Sequence, residues 1–261
     1  MYMYYLTTMP GSGIGSFVVG WVSAAAYIHT TSKTPEKKLN INLFHASKPV
    51  AIFVQHFVVW REDSPFCVIN VDPQTYGAGA VELFYTDVVM RNNLLYHKCD
   101  ADNFYYDYFD RVVWQLREPH RYKTWPESID VCINVRRGDK VTCEPHLSVV
   151  SVAKYVQEIE NTHTIHTGSL IYHTADDYDT FEELRTLRPE WNVATICKET
   201  DRGFVLLDMN AATDEYVIEH VATFLKALAV MKHATYFIGT GSTNVGFMAK
   251  LLRHGRDMVL L

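Results

Sequence analysis

The regular alternation of predicted strands and helices in the second half of the chain is the feature that most constrains the fold. The strands are predicted at residues 129–135, 169–173, 191–196 and 236–238, and the helices at 147–161, 179–187, 214–233 and 242–252. Strands that alternate with helices form a parallel, doubly wound α/β sheet. Because ligands of such sheets bind at the carboxyl ends of the strands, the loops that follow the strands are the candidates for function.

The N-terminus has a second pattern of the same kind. Residues 2–7 predict a strand, a turn containing Gly11, Gly13 and Gly15 follows, and the apolar stretch 14–28 predicts a buried helix. A strand, a glycine-rich turn and a helix begin a Rossmann-like unit. The glycine spacing departs from the GxGxxG fingerprint, so the glycines serve either a tight turn between strand and helix or direct contact with a ligand.

The rest of the first half predicts fewer regular elements. These are two short apolar strands and one aromatic helix, at residues 51–60, 66–71 and 92–114. The polar, proline-containing stretch 117–130 predicts a linker. At 261 residues the chain is long enough for two domains with cores of their own. We therefore expect an N-terminal Rossmann-like domain at residues 1–125 and a C-terminal α/β domain at residues 126–261.

The bulk composition excludes several classes of protein. The formal net charge is -6, which gives no support for a nucleic-acid-binding surface. The five cysteines include no CxxC pair, so a zinc ribbon and a disulfide framework are not expected. The stretch 14–28 is short for a membrane span, and no basic residue precedes it as in a signal peptide. We expect a cytoplasmic protein without an integral membrane segment, of bacterial or viral origin.

The first candidate loop follows the predicted strand 129–135. It contains Arg136, Arg137 and Gly138, followed by Asp139. Guanidinium groups bind phosphate oxygens bidentately, and a glycine lets the backbone approach a ligand. The pattern therefore favours a diphosphate site, and the alternative is a surface cluster of ion pairs between the two arginines and Asp139.

Two further loops follow later strands. Asp176 and Asp177 lie shortly after the predicted strand 169–173, from which residues 174 and 175 separate them. Two adjacent carboxylates can bind a metal, orient a sugar or hold the first turn of the next helix.

The last loop, from residue 239 to 244, joins a strand to a helix and contains Thr240, Gly241, Ser242 and Thr243. Backbone N–H groups and hydroxyls at a helix N-terminus form a phosphate site. The alternative is an N-cap, for which either Ser242 or Thr243 is enough.

Two other patterns have the spacing of metal sites. Asp100 and Asp102 form a DxD sequence, but it precedes a predicted aromatic helix, where a helix cap is the favoured interpretation. His163 and His166 lie in a threonine-rich loop with no third ligand in the sequence nearby. We expect no bound metal.

Three segments together resemble the α-1,6-fucosyltransferases and their O-fucosyltransferase relatives. The sequence VCINVRRGDKVTCE at 131–144 resembles the donor-binding motif of that family, and residues 174–189 and 236–249 are similar to its second and third motifs, in the same order. The resemblance implies a GT-B fold with two Rossmann-like halves, of which the N-terminal one lies on the acceptor side and the C-terminal one binds a nucleotide sugar. It also implies a GDP-fucose donor, inversion at the anomeric carbon, no metal cofactor, and a glycan acceptor.

The resemblance also implies roles for individual residues. Arg136 would bind the β-phosphate, and Glu144 would be the general base, with Lys140 in a proton relay. The donor pocket that the three motifs imply comprises Asn134, Arg136, Arg137, Asp139, Asp176, Asp177, Thr240, Gly241, Ser242 and Thr243.

Two departures from the family pattern concern recognition of the base. Asn134 stands where the family has His, and Ala227 stands where it has an Asp that reads guanine. One alternative is therefore a glycosyltransferase of the same fold with another nucleotide-sugar donor. Another is an inactive homologue that binds nucleotides or glycans. The presence of Arg136, Lys140 and Glu144 together favours an enzyme, because a protein that only binds its ligand needs no base.

Overall fold

The computed structural model describes residues 3–8, 13–31, 39–58, 66–69, 74, 80–84, 128–138, 149–163 and 165–261. The chain divides into two compact units. One comprises Met1–Pro119 and Met209–Val221, and the other comprises His120–Asp208 and Ala222–Leu261. The predicted boundary between residues 125 and 126 stays a prediction.

The first unit contains a four-stranded sheet. Its elements are β1 (Met3–Thr7), α1 (Ile14–Thr31), β2 (Leu39–Asn42), α2 (Lys48–Ile52), a π-helical turn (Phe53–Phe57), β3 (Phe66–Ile69) and β4 (Ala80–Phe84). The strand order is β3-β2-β1-β4, and each pairing is parallel. The predicted strand and helix at the N-terminus are therefore confirmed, and so is the strand at 66–71, in shorter form. The strands β2 and β4 were not predicted.

The prediction of a strand at residues 51–60 was wrong. The structure has α2 and the π-helical turn there, with Ser47 at the N-cap and Pro49 in the first turn. A short apolar run does not distinguish a buried helix from a buried strand by periodicity, and Pro49 fits the first turn of a helix. The predicted helix at 92–114, and the linker at 117–130 apart from its last three residues, lie outside the described residues.

The stretch Met209–Val221 is tied to the first unit through Lys48. The backbone N–H of Lys48 donates to Asn210 Oδ1 at 2.9 Å, and its ammonium lies 2.7 Å from an oxygen of Asp214. These contacts hold the start of the long helix that follows against the beginning of α2.

The second half of the chain alternates strands and helices, as predicted. Its elements are β5 (Val131–Val135), α3 (Val152–Thr162), β6 (Leu170–Ala175), α4 (Asp179–Leu187), β7 (Asn192–Thr195), α5 (Leu206–Ala211), α6 (Asp214–His233), β8 (Tyr236–Gly239), α7 (Asn244–Leu252) and β9 (Met258–Leu260). The helix α5 and the strand β9 were not predicted. The sheet is parallel, in the order β7-β6-β5-β8-β9.

The strand order places the switch point of this sheet between β5 and β8. The chain runs from β5 outward through β6 and β7, and then returns to the other side of β5 as β8. Asn134, near the end of β5, pairs with Thr174 of β6 and Gly239 of β8, so the three strands end at the same level. The crevice at such a point is where open α/β sheets bind their ligands.

One face of this sheet forms a buried apolar core. Val131, Ile133 and Val135 of β5 are fully buried there together with Tyr155 and Ile159 of α3. Burying one such side chain contributes about 1.5–3 kcal/mol relative to leaving it exposed, so these contacts fix α3 on the sheet. Within the part of the chain that the structure describes, no helix combines the length and the apolar character that a membrane span requires.

His173 is a fully buried histidine on β6. Its Nδ1 lies 3.2 Å from Thr195 Oγ1, and its Nε2 lies 3.0 Å from Thr180 Oγ1. Burial, with a smaller contribution from the charge of Arg137, lowers the pKa of His173 to about 3. The ring is therefore neutral at neutral pH.

This buried ring predicts a loss of stability in mild acid. The unfolded chain takes up a proton at His173 below its ordinary pKa of 6.5, whereas the folded chain does so only near pH 3. The free energy of unfolding should thus fall as the pH falls from about 6.5 towards 3, by up to about 1.4 kcal/mol per pH unit from this residue. Denaturant unfolding at pH 7 and pH 5 should show a smaller loss for His173→Gln than for the wild type. The exposed His166→Gln is the control, and an unchanged slope in His173→Gln would contradict the prediction.

Candidate functional site

The carboxylate of Asp176, directly after β6, joins three loops of the second unit. Its Oδ1 accepts a hydrogen bond from the backbone N–H of Arg137 at 2.8 Å, and its Oδ2 accepts one from the N–H of Phe204 at 3.1 Å. Oδ2 also forms an ion pair with the guanidinium of Arg136. The carbonyl of Asp176 accepts from the N–H of Gly203 at 2.7 Å. Asp176 therefore fixes both the loop after β5 and the loop at 201–204.

The side chain of Arg136 is largely buried and does not extend over the surface. Only 13% of its side chain is exposed, and its Cζ lies 5.4 Å from the centroid of the Phe204 ring. A guanidinium carries five N–H donors in a fixed planar fork, a geometry that suits bidentate contact with a carboxylate or a phosphate. The predicted alternative, a cluster with Asp139, concerns a residue outside the described part of the chain.

Thr240 links the ends of β5 and β8 across the switch point. Its Oγ1 accepts from the backbone N–H of Arg136 at 3.2 Å and donates to the carbonyl of Asn134 at 3.3 Å. The Oη of Tyr155, on α3, lies 2.7 Å from the same oxygen. Burial raises the pKa of Tyr155, so its phenol stays protonated.

Tyr155 was not predicted as part of the site. It is fully buried on a helix face that also carries Val152 and Ile159. A buried tyrosine needs a partner for its hydroxyl, and this was the available signal. The partner itself could not be read from the sequence, because Thr240 lies 85 residues further along the chain.

The two hydroxyl residues in the turn before α7 have different roles. Thr243 is the N-cap: its Oγ1 accepts from the N–H of Gly246 at 3.1 Å and donates to the carbonyl of Thr240 at 3.0 Å. Ser242 is exposed next to it. The capping interpretation therefore applies to Thr243, and Ser242 is accessible at the N-terminus of the helix.

The glycines around Thr240 have a packing reason. A Cβ on Gly239 would lie 2.5 Å from the ring of Phe237, and one on Gly241 would lie 3.1 Å from the carbonyl oxygen of Leu261. The N–H of Gly241 also donates to that carbonyl at 2.8 Å. These glycines let the turn pack against its own sheet.

Asp177 serves the start of α4. Its Oδ1 accepts from the N–H of Asp179 at 3.0 Å, and its carbonyl accepts from Thr180 Oγ1 at 2.7 Å. The two neighbouring carboxylates thus differ: Asp177 orders the first turn of a helix, whereas Asp176 faces the arginines.

The two polar atoms of the Asn134 side chain have different surroundings. Its Nδ2 donates to Thr174 Oγ1 at 3.1 Å and approaches the Thr174 carbonyl at 3.4 Å. The residue is only 6% exposed, and its Oδ1 has no hydrogen-bond partner among the described residues. A buried acceptor without a partner is costly in a folded protein, and ligand sites are among the places where this cost is met.

Several predicted site residues lie outside the described part of the chain. These are Gly11, Asp139, Lys140 and Glu144, and also Asp100 and Asp102. Of the other two N-terminal glycines, Gly13 accepts from the N–H of Phe17 at 3.0 Å, and Gly15 lies in the first turn of α1. Ala227 is buried on α6. Among the described residues no three His, Cys, Asp or Glu side chains form a group that could hold a metal ion.

The fold of the chain is similar to that of solved fucosyltransferases. NodZ α-1,6-fucosyltransferase soaked with GDP-fucose matches with a TM-score of 0.56 and 12% identity over 97% of this chain and 93% of that chain. NodZ from Bradyrhizobium matches with a TM-score of 0.56, 13% identity, and coverage of 97% and 94%. A variant of Arabidopsis thaliana FUT1 in complex with GDP matches with 0.54, 10% identity, and coverage of 97% and 69%. No protein-family model and no curated protein sequence matches the chain. The predicted α/β fold of the GT-B type is confirmed by these neighbours.

The close approach of two loops at Gly138 gives a test of the site's geometry. Gly138 has a φ of 53°, and a Cβ there would lie 2.6 Å from Asp176 Oδ2 and from the backbone N and O of Phe204. Gly138→Ala should destabilise the protein by about 1–3 kcal/mol, because the backbone of the neighbouring loop has to move. The matched control is Gly168→Ala: Gly168 also has a positive φ, 98°, but no described atom lies within 4 Å of its Cβ position. Denaturant unfolding compares the two, and equal losses would contradict the packing.

Proposed function

We propose that the protein is a glycosyltransferase that binds a nucleotide-sugar donor at the carboxyl ends of β5 and β8, with GDP-fucose as the first candidate. The observation that carries the proposal is the largely buried Arg136, which is paired with Asp176 at the switch point of a doubly wound sheet. The fold is that of proteins solved with GDP-fucose or GDP, which supports the same class of donor.

Two features of the second unit favour a diphosphate as the bound group. Arg136 supplies guanidinium N–H donors, which bind phosphate oxygens in pairs. The N-terminus of α7, with the exposed hydroxyl of Ser242, supplies a positive dipole end and further donors. Thr240 connects the two, because it bonds to the backbone of Arg136 and precedes the turn into α7.

The chemistry that we propose is an inverting transfer to a glycan hydroxyl. Glu144 takes the proton of the acceptor hydroxyl, with Lys140 in the relay, as the bond between the sugar and the diphosphate breaks. Arg136 stabilises the negative charge that develops on the leaving diphosphate. A guanidinium can do this without a metal ion, so the proposed reaction needs none.

The base of the donor is the least constrained part of the proposal. Asn134 and Ala227 replace the His and Asp of the fucosyltransferase motifs, and Ala227 has no polar group with which to contact a base. A glycosyltransferase with another nucleotide sugar is therefore the second candidate. An inactive protein that binds nucleotides or glycans is the third.

A panel of nucleotides tests the proposal directly. Thermal unfolding is measured with GDP, UDP, ADP and CMP and with GDP-fucose and other nucleotide sugars, and transfer from each stabilising donor to glycan acceptors is then assayed with and without EDTA. Stabilisation by a nucleoside diphosphate and transfer that persists in EDTA are expected. Stabilisation without transfer would favour the inactive binder. Transfer that stops in EDTA and returns with Mn²⁺ would shift attention to Asp100 and Asp102.

Arg136→Ala should nearly abolish binding of the stabilising nucleoside diphosphate. A charge-assisted hydrogen bond contributes about 1.5–3 kcal/mol, and Arg136→Lys should not restore binding, since an ammonium cannot replace a bidentate fork. Isothermal titration measures the dissociation constants. Arg185→Ala, an exposed arginine on α4, is the control. Unchanged affinity in Arg136→Ala would remove the phosphate assignment.

Glu144→Gln should retain donor binding and lose transfer. Loss of a general base typically costs about 10²–10⁴ in rate, so kcat falls while the dissociation constant of the donor stays nearly the same. Steady-state kinetics and titration measure the two quantities, with the exposed Glu183→Gln on α4 as the matched control. Wild-type turnover in Glu144→Gln would assign the base to another residue, and Asp176 and Asp177 would be examined next.

A further inference from the structure

We propose that Phe204 is a positioning residue that orients the guanidinium of Arg136 for the terminal phosphate of the donor. This inference rests on the proposed function, and Phe204 lies outside all three sequence motifs. Phe204 lies in the loop between β7 and α5, 68 residues after Arg136 in the sequence (204 − 136).

The loop that carries Phe204 is hydrogen-bonded to Asp176, directly after β6, and packs against Gly138 in the loop after β5. The N–H of Gly203 donates to the carbonyl of Asp176 at 2.7 Å, and the N–H of Phe204 donates to the carboxylate of Asp176 at 3.1 Å. A Cβ on Gly203, which has a φ of 91°, would lie 2.5 Å from the Cα of Gly138. No side chain fits between the two loops at this point, and these contacts fix the backbone of Phe204.

The guanidinium of Arg136 consequently has two neighbours of different chemistry. The Asp176 carboxylate forms an ion pair with it, and the centroid of the Phe204 ring lies 5.4 Å from its Cζ. The face of an aromatic ring attracts a cation electrostatically. The ring thus restricts the orientation that the guanidinium can present to a phosphate.

The proposal separates two ligands that differ in one phosphate. GDP has a β-phosphate and GMP does not, so a residue that acts through Arg136 on the terminal phosphate affects GDP binding and leaves GMP binding unchanged. General damage to the fold would weaken both. The comparison therefore provides a readout that a merely structural role of Phe204 would not change.

The test uses Phe204→Leu, which removes the aromatic face, and Phe204→Tyr, which keeps it. Phe204→Leu should weaken GDP binding about ten-fold, equivalent to about 1.4 kcal/mol, with GMP binding unchanged, and Phe204→Tyr should retain wild-type affinity. The matched control is Trp191→Leu, because Trp191 also lies next to an arginine, with the Cζ of Arg188 5.9 Å from its ring. Titration with GDP and GMP measures the affinities of all four proteins.

A measurement without ligand keeps this inference separate from the proposed function. Phenylglyoxal modifies accessible arginines, and mass spectrometry locates the modification at Arg136. Faster modification of Arg136 in Phe204→Leu than in the wild type, Phe204→Tyr or Trp191→Leu is expected. Equal rates, or equal loss of GDP and GMP affinity in Phe204→Leu, would overturn the role of Phe204. A wild-type protein that binds no GDP while the modification rates differ as expected would overturn the proposed donor and restrict Phe204 to orienting Arg136.

Discussion

The carboxylate of Asp176 is the interaction on which the candidate site depends. It receives backbone N–H groups from two loops and pairs with the guanidinium of Arg136, all within the second unit. A carboxylate and a guanidinium that are both largely removed from water are stable only when their hydrogen bonds are satisfied together. The loop after β5 and the loop at 201–204 supply the hydrogen bonds of the carboxylate, so the positions of the loops and the pairing with Arg136 depend on one another.

Part of this arrangement could be predicted from the sequence. The alternation of strands and helices predicted the parallel sheet, and the position of Arg136 and Asp176 after strands predicted that both lie at the same edge. Their direct pairing follows from the register: Asn134 pairs with Thr174, and the two charged residues each come two positions later. The strand order was the missing information, because neither periodicity nor composition indicates which strands are neighbours.

Other parts could not be predicted, for physical reasons that differ. Residues 51–60 are apolar enough for either a buried helix or a buried strand. The overlooked signal was Pro49, which lies in the first turn of the helix. The loop at 201–204 forms no regular element, and its contact with Gly138 depends on backbone approach between distant segments. Tyr155 has the sequence pattern of a core residue. Its hydrogen-bond partner, Thr240, lies at the end of a distant strand, so the sequence around Tyr155 does not indicate the contact. Long-range hydrogen bonds of this kind have no local sequence pattern.

Under the proposed function, the environment of Asn134 bears on how the base is chosen. The carbonyl of Thr174 cannot donate a hydrogen bond, so the Nδ2 of Asn134 has to face it, and the buried Oδ1 points away from Thr174. Position 134 then carries an acceptor, rather than a donor, on the side away from Thr174. Guanine, adenine and uracil each carry an N–H donor, so one acceptor alone discriminates little between them, and the methyl group of Ala227 adds no polar contact. The contacts of the described residues thus favour the diphosphate as the common part of the ligand, held by Arg136 and the start of α7, and leave selection of the base to weaker differences in fit.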